Sequence, residues 1–222
     1  MTNPLPNLTI EKLKSLGMLI PKIGYEDDIK AFQEIDKKQK PIQNSILFVG
    51  DSDIRFWNHD NQFQNDFKGL PVINRGFGGS KTWEVLLYFN ELILPSAPKK
   101  IVYCCGDNDI AVLEEKGVKN AVLGFALFLE QIELKIPSVE KIFYLGIHPS
   151  PSDEPLWGYI EEANQKLKKV CSENKKVEFI DYLHLLIDEK GNLKTNCFND
   201  DGLHFSSSFY KCFANYLRPI IT

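Results

Sequence analysis

Ser52 follows the run Ser45-Ile46-Leu47-Phe48-Val49-Gly50-Asp51, an apolar stretch that ends in glycine and a polar trio. A serine hydroxyl is a weak nucleophile unless a base takes its proton and N–H donors meet the oxygen that turns negative. The chain carries candidates for each part. His204 can be the base. Asp201 lies three residues before it, and Gly202 lets the chain turn between them, so that the carboxylate accepts from one ring nitrogen while the other faces the serine. The Ser52 and Gly79 backbone N–H groups and the Asn108 side-chain amide are the candidate oxyanion donors. Gly78 rivals Gly79 as donor and Asp200 rivals Asp201 as orienting acid, and the three-residue spacing favours Asp201. This set of groups would transfer the acyl group of an ester through an acyl-serine.

Such groups need elements to hold them. Residues 45–49 read as a strand buried on both faces, ending at the mouth of a parallel sheet, where ligands gather in open α/β folds. Further apolar runs predict strands at 70–74, 100–105, 141–147 and 176–180. Between them, helical periods are expected over 53–67 (irregular), 81–94, 118–136, 153–173 (Asp153 capping, Pro155 in the first turn) and 182–187, with a last helix over 207–217. Ser80 is placed to cap the helix that starts at Lys81. Strands alternating with helices predict a three-layer α/β/α sandwich, flavodoxin-like, with a five-stranded parallel sheet of order 2-1-3-4-5. Ile29, Phe32 and Ile35 mark a helix before Pro41, so residues 1–41 read as a helical extension packed on a domain of residues 42–222.

The 222 residues, 43% hydrophobic, suit one domain with a substantial core. A net charge of −4 and the lack of a dense basic block argue against a nucleic-acid partner. The N-terminal residues lack the apolar segment of a secretory leader, and the most apolar helix carries Glu130, Glu133 and Lys135, so no membrane span is expected. Five cysteines without a CxxC pair read as reduced thiols of a cytoplasmic protein. The expected partner is a small-molecule ester; nothing in the sequence sets the oligomeric state, and a homodimer is left open. His59, His148 and His184 read as surface or core residues, with a substrate contact open for His148. Trp57, Phe77, Trp83 and Trp157 read as core rather than pocket.

Gly50-Asp51-Ser52, Gly79, Gly106-Asp107-Asn108-Asp109 and Asp201-Gly202-Leu203-His204 together resemble the ordered blocks of the SGNH (GDSL-type) hydrolase superfamily. The strings Phe48–Trp57, Ile73–Ser80 and Asp201–Ser206 resemble its bacterial branch related to platelet-activating-factor acetylhydrolase. The resemblance runs from about residue 42 to the C-terminus. It implies the α/β/α fold and a metal-independent esterase, acetylesterase or lipase-like activity without cofactor. It assigns Ser52 as nucleophile and donor, Gly79 and Asn108 as donors, and Asp201 with His204 as the acid–base pair. Asp53 stands where the name motif has leucine, and its charge beside the nucleophile is expected to disfavour anionic substrates. Two other readings remain open. Asp51-Ser52-Asp53 also resembles the start of a metal-dependent phosphatase with Asp51 as nucleophile, although Arg55 departs from that pattern. The same fold can also serve as a non-catalytic binding module.

Overall fold

The computed structural model describes residues 5–222; residues 1–4 of the expected N-terminal extension lie outside the described residues. The strands are β1 (Ile46–Gly50), β2 (Val72–Gly76), β3 (Lys100–Cys104), β4 (Lys141–Leu145) and β5 (Val177–Ile180). All pair in parallel in the order β2-β1-β3-β4-β5, with Ile46 opposite Val72 on one side and Lys100 on the other. The helices are α1 (Ile10–Ser15), α2 (Glu26–Lys38), α3 (Ser52–Phe56), α4 (Gln62–Asp66), α5 (Thr82–Leu87), α6 (Phe89–Leu92), α7 (Asp107–Leu113), α8 (Glu115–Lys135), α9 (Trp157–Ser172), α10 (Leu183–Leu186) and α11 (Ser207–Ile221). The fold is the expected three-layer α/β/α sandwich.

The two-residue period of the strands divides the core between the sheet's faces. Leu47, Val49, Ile101, Tyr103, Ile142 and Tyr144 pack on one face with α5, α8 and α9. Leu13, Met18 and Ile29, from the segment before β1, join that same cluster. Ile46, Phe48, Val102, Cys104, Phe143 and Leu145 point the other way, under α3, α4 and α11. Trp57 anchors this second layer, stacked on Phe213 at 5.5 Å with its indole N–H donated to Asp66. Cys104, Cys105, Cys171 and Cys197 are buried free thiols.

Several local expectations shift. β2 runs two residues later than its apolar letters suggest. Arg75 is buried inside it, paired with Asp36 of α2 and set 5.0 Å from the Phe32 ring. The helix expected over 81–94 is broken at Tyr88, whose hydroxyl donates to the Gly24 carbonyl. Ser80 does not cap α5. Its hydroxyl is fully buried and donates to the Gly50 carbonyl, while the Glu84 carboxylate accepts from the Lys81 N–H. Asp153 does not cap α9 either. Residues 151–156 form a 3-10 turn, and Asp153 instead accepts from the Ser150 hydroxyl at 2.7 Å. α11 continues through Pro219 to Ile221. Among the described residues no helix is long and apolar enough to cross a membrane.

Candidate active site

β1 delivers the chain to the carboxyl end of the sheet. Asp51 caps α3 by accepting from the Asp53 N–H at 3.0 Å, which sets Ser52 as the first helical residue. Ser52, Gly79, Asn108 and His204 line one cavity of about 390 Å³, with Arg55, Phe56, Leu156 and Ile160 around them. Gly78 lines it as well. Three separate strand ends and the loop before α11 therefore meet there, as the order of the sheet requires.

Asp201 stands behind His204 rather than in the cavity. Its Oδ2 lies 2.7 Å from His204 Nδ1, while its Oδ1 accepts from the Leu203 and His204 N–H groups at 2.9 and 3.0 Å. Desolvation pushes its carboxyl upward, but the His204 ring and the two N–H groups outweigh that and hold it below the usual range. Gly202, at φ +65°, makes the turn that folds the carboxylate back onto the ring. The Phe56 ring stands edge-on to the imidazole at 4.5 Å. Asp200 is exposed and, among the described residues, has no bond to His204.

The candidate donors are unspent. Among the described residues the N–H groups of Ser52, Gly78 and Gly79 find no acceptor, and Asn108 commits one amide hydrogen to Asp107 at 3.0 Å.

Two buried features escape the sequence reading. Asp109 joins the two donor-bearing loops. It accepts from the Thr82 N–H at 2.9 Å and the Thr82 hydroxyl at 2.7 Å, and its desolvation pushes the carboxyl up to about 7. Beneath Ser52 lies an acidic cluster. Burial first, then the Asp107 and Asp53 charges, raises Asp51 well above the usual carboxylate range. Asp53 does not face the cavity, contrary to the expected effect on anionic substrates. Its Oδ2 pairs with His148 Nε2 at 2.9 Å in a nearly dry site, and the other ring nitrogen meets the Pro149 carbonyl at 3.2 Å. A carbonyl only accepts, so Nδ1 carries a proton, and, against burial, the Asp53 charge and hydrogen bond raise the His148 pKa, which favours an imidazolium opposite the Asp53 carboxylate.

Asp51, Asp53 and Cys104 place ligand atoms within 4.8 Å of one another, but the space beside them is only about 10 Å³, little more than one water. Asp51 is 1% exposed and does not line the larger cavity, which deprives the phosphatase reading of its nucleophile. Trp57, Phe77 and Trp83 are core residues, as expected. Trp157 is not core. It lines a separate cavity, also about 390 Å³, with His148, Phe179 and Tyr182, reached across Ile160.

Solved structures share this architecture. A protein of Streptococcus pneumonia named for platelet activating factor matches with a TM-score of 0.76 and 24% identity over 89% of this chain and 92% of that one. A GDSL-like lipase from Bacteroides thetaiotaomicron VPI-5482 matches at 0.71, with 19% identity over 87% and 96%. An acetylxylan esterase from Geobacillus stearothermophilus matches at 0.63, with 15% identity over 82% and 96%. No curated protein matches the chain. The model of the GDSL-like lipase/acylhydrolase family matches residues 48–212, the span that holds the end of β1, the other four strands and all of the cavity's candidate catalytic groups, and the chain belongs to that family of ester hydrolases.

Proposed function

We propose that Ser52 is the nucleophile of a metal-independent carboxylic-ester hydrolase. His204 takes the Ser52 proton as Oγ attacks the ester carbonyl. Asp201 holds the ring so that Nδ1 carries its proton and Nε2 is free to act, and it stabilises the imidazolium that forms. The carbonyl oxygen, now negative, is met by the Ser52 and Gly79 N–H groups and the free Asn108 amide hydrogen. His204 returns the proton to the departing alcohol. A water then repeats the sequence on the acyl-serine with the same base and releases the acid.

The observation that carries this reading is the convergence of Ser52, three unspent donors and a carboxylate-backed imidazole on one cavity. Its volume of about 390 Å³ suits a short acyl group. Acetyl and other short esters, acetylated sugars included, are the substrates to try first. We also read residues 42–222 as the hydrolase unit of a cytoplasmic protein, preceded by an extension.

The test is hydrolysis of p-nitrophenyl esters of increasing acyl length and of acetylated sugars by the wild type and Ser52→Ala, with fluorophosphonate labelling of Ser52. Turnover lost in the folded variant and labelling confined to the wild type are expected. Full turnover by Ser52→Ala would overturn the assignment, and a wild type that neither turns over nor labels would favour a binding module.

A further inference from the structure

The turn that carries Gly79 is held from outside by residues the family match does not include. The chain from Gly17 to Tyr25 crosses the domain under a series of long-range hydrogen bonds. The Asn120 amide grips both the N–H and the carbonyl of Leu19, at 3.0 and 2.7 Å. The Trp83 indole donates to the Lys22 carbonyl at 3.2 Å, and the Tyr88 hydroxyl donates to that of Gly24 at 3.0 Å.

At the end of this path Tyr25 adopts φ 78°, ψ 12°. A bulky side chain in the left-handed region is strained and persists only where surrounding contacts impose it. Those contacts are at the turn. The ring meets Phe77 edge-on at 5.4 Å, and its hydroxyl lies 2.9 Å from the point where a Cβ on Gly79 would sit. Lys81 Nζ stands 5.1 Å over the ring, donates to the Gly79 carbonyl at 3.1 Å and reaches the Tyr25 hydroxyl at 3.5 Å. Gly79 itself sits at φ +77°. A glycine at such an angle is free to swing, and swinging would carry its N–H away from the cavity. Tyr25 closes the space behind it, and Lys81, held over the ring, fixes its carbonyl.

We propose that Tyr25 is a positioning residue for the oxyanion hole: it keeps the Gly79 N–H aimed at the developing oxyanion without touching the substrate. The proposal rests on the esterase reading above, and on Gly79 rather than Gly78 as the donor. It also explains why glycine is required at 79 beyond its backbone angle, since a methyl there would strike the tyrosine oxygen.

The test compares Tyr25→Phe and Tyr25→Ala with the wild type. It measures kcat and KM on a short-acyl p-nitrophenyl ester, the inhibition constant of an alkyl boronic acid that forms a tetrahedral adduct on serine, and the melting temperature. Losing an oxyanion donor outright costs about 10²–10³ in kcat. Loosening one should cost Tyr25→Ala roughly 10-fold or more in kcat with KM within about 2-fold, and weaken the boronic acid in step with kcat. Tyr25→Phe, which keeps the ring over Phe77 and under Lys81 but loses the hydroxyl behind Gly79, should lose less, about 2- to 3-fold in kcat. Unchanged kcat in a folded Tyr25→Ala would overturn the inference, as would a loss confined to KM or boronic-acid affinity that does not follow kcat. If Tyr25→Ala does not fold, Tyr25→Phe decides: a fall of about 2-fold or more in both kcat and boronic-acid affinity at constant KM supports the role, and identity with the wild type overturns it. Failure of the esterase reading would show separately, as a wild type that neither turns over nor labels.

Discussion

The buried pair beneath Ser52 gives the sharpest quantitative test. The side chains of His148 and Asp53 are only 7% and 11% exposed, and they meet at 2.9 Å. Replacing His148 by leucine removes the imidazolium and leaves the carboxylate in a dry site that already holds Asp51 and Asp107. Breaking one side of such a pair costs roughly 3–5 kcal/mol. At about 2–4 °C per kcal/mol for a chain of this size, the melting temperature should fall by roughly 6–20 °C. Asp53→Asn should behave differently. A neutral histidine can still donate from Nδ1 to the Pro149 carbonyl while Nε2 accepts from the new amide, so the loss should stay below about 1.5 kcal/mol.

The two variants also differ in their response to pH. Burial acts to lower the His148 pKa, but the Asp53 charge and hydrogen bond, the Pro149 carbonyl and the Asp107 charge together raise it above the ordinary histidine value. The stabilisation is thus complete below about pH 6.5, where an unfolded histidine is also protonated, and is lost as pH rises through the higher folded-state value. Urea unfolding of the wild type and Asp53→Asn from pH 6 to 9 should show their stability difference shrinking as pH rises. A His148→Leu variant that melts with the wild type, or a difference that does not change with pH, would refute the ion pair.

Three further outcomes are expected. Asp201→Asn should keep the hydrogen bonds to the Leu203 and His204 N–H groups but present the wrong partner to Nδ1. Since the carboxylate is 47% exposed and water can partly replace it, kcat should fall about 10²–10³-fold, short of the ~10⁴ of a buried triad, with the melting temperature within a few degrees. Asp109 is raised to about 7, so folding takes up a proton that the unfolded chain has lost above pH 4, and stability falls as pH rises from about 4 to 7. Asp109→Asn should flatten that fall in pH-dependent urea unfolding, and an unchanged slope would count against it. Gly202→Ala places its methyl no closer than 3.5 Å to Pro151 Cβ, so its cost is conformational. It should lose about 1–2 kcal/mol in urea unfolding, and kcat should drop as the Asp201–His204 turn strains.

Much of the fold was legible because its signals are local. The unbroken apolar runs inside Ile46–Gly50 and Lys100–Cys104 report strands buried on both faces, and the helical stretches between strands leave a parallel sheet as the economical solution. Boundaries failed where tertiary partners overrode composition. Arg75 falls just past the expected strand 70–74, yet it lies inside β2 because Asp36 and Phe32 cover it. Ser80 reads as a cap, yet the Gly50 carbonyl takes its hydroxyl.

At the site, the sequence by itself determined the chemical inventory: a serine at a strand end, a histidine three residues after an aspartate, and glycine and asparagine at two neighbouring strand ends. Residue type and short spacing carry that information, since a catalytic group must have a given chemistry and a turn a given length. Only the tertiary structure decided what surrounds these groups. Asp53, read as a charge beside the nucleophile, is turned inward to a histidine 95 residues away. Asp109 locks to Thr82 across 27 residues, and Tyr25 reaches the Gly79 turn from before the first strand. Such pairings have no period and no fixed spacing, because a hydrogen bond or an ion pair depends on distance in space and on the water that burial removes.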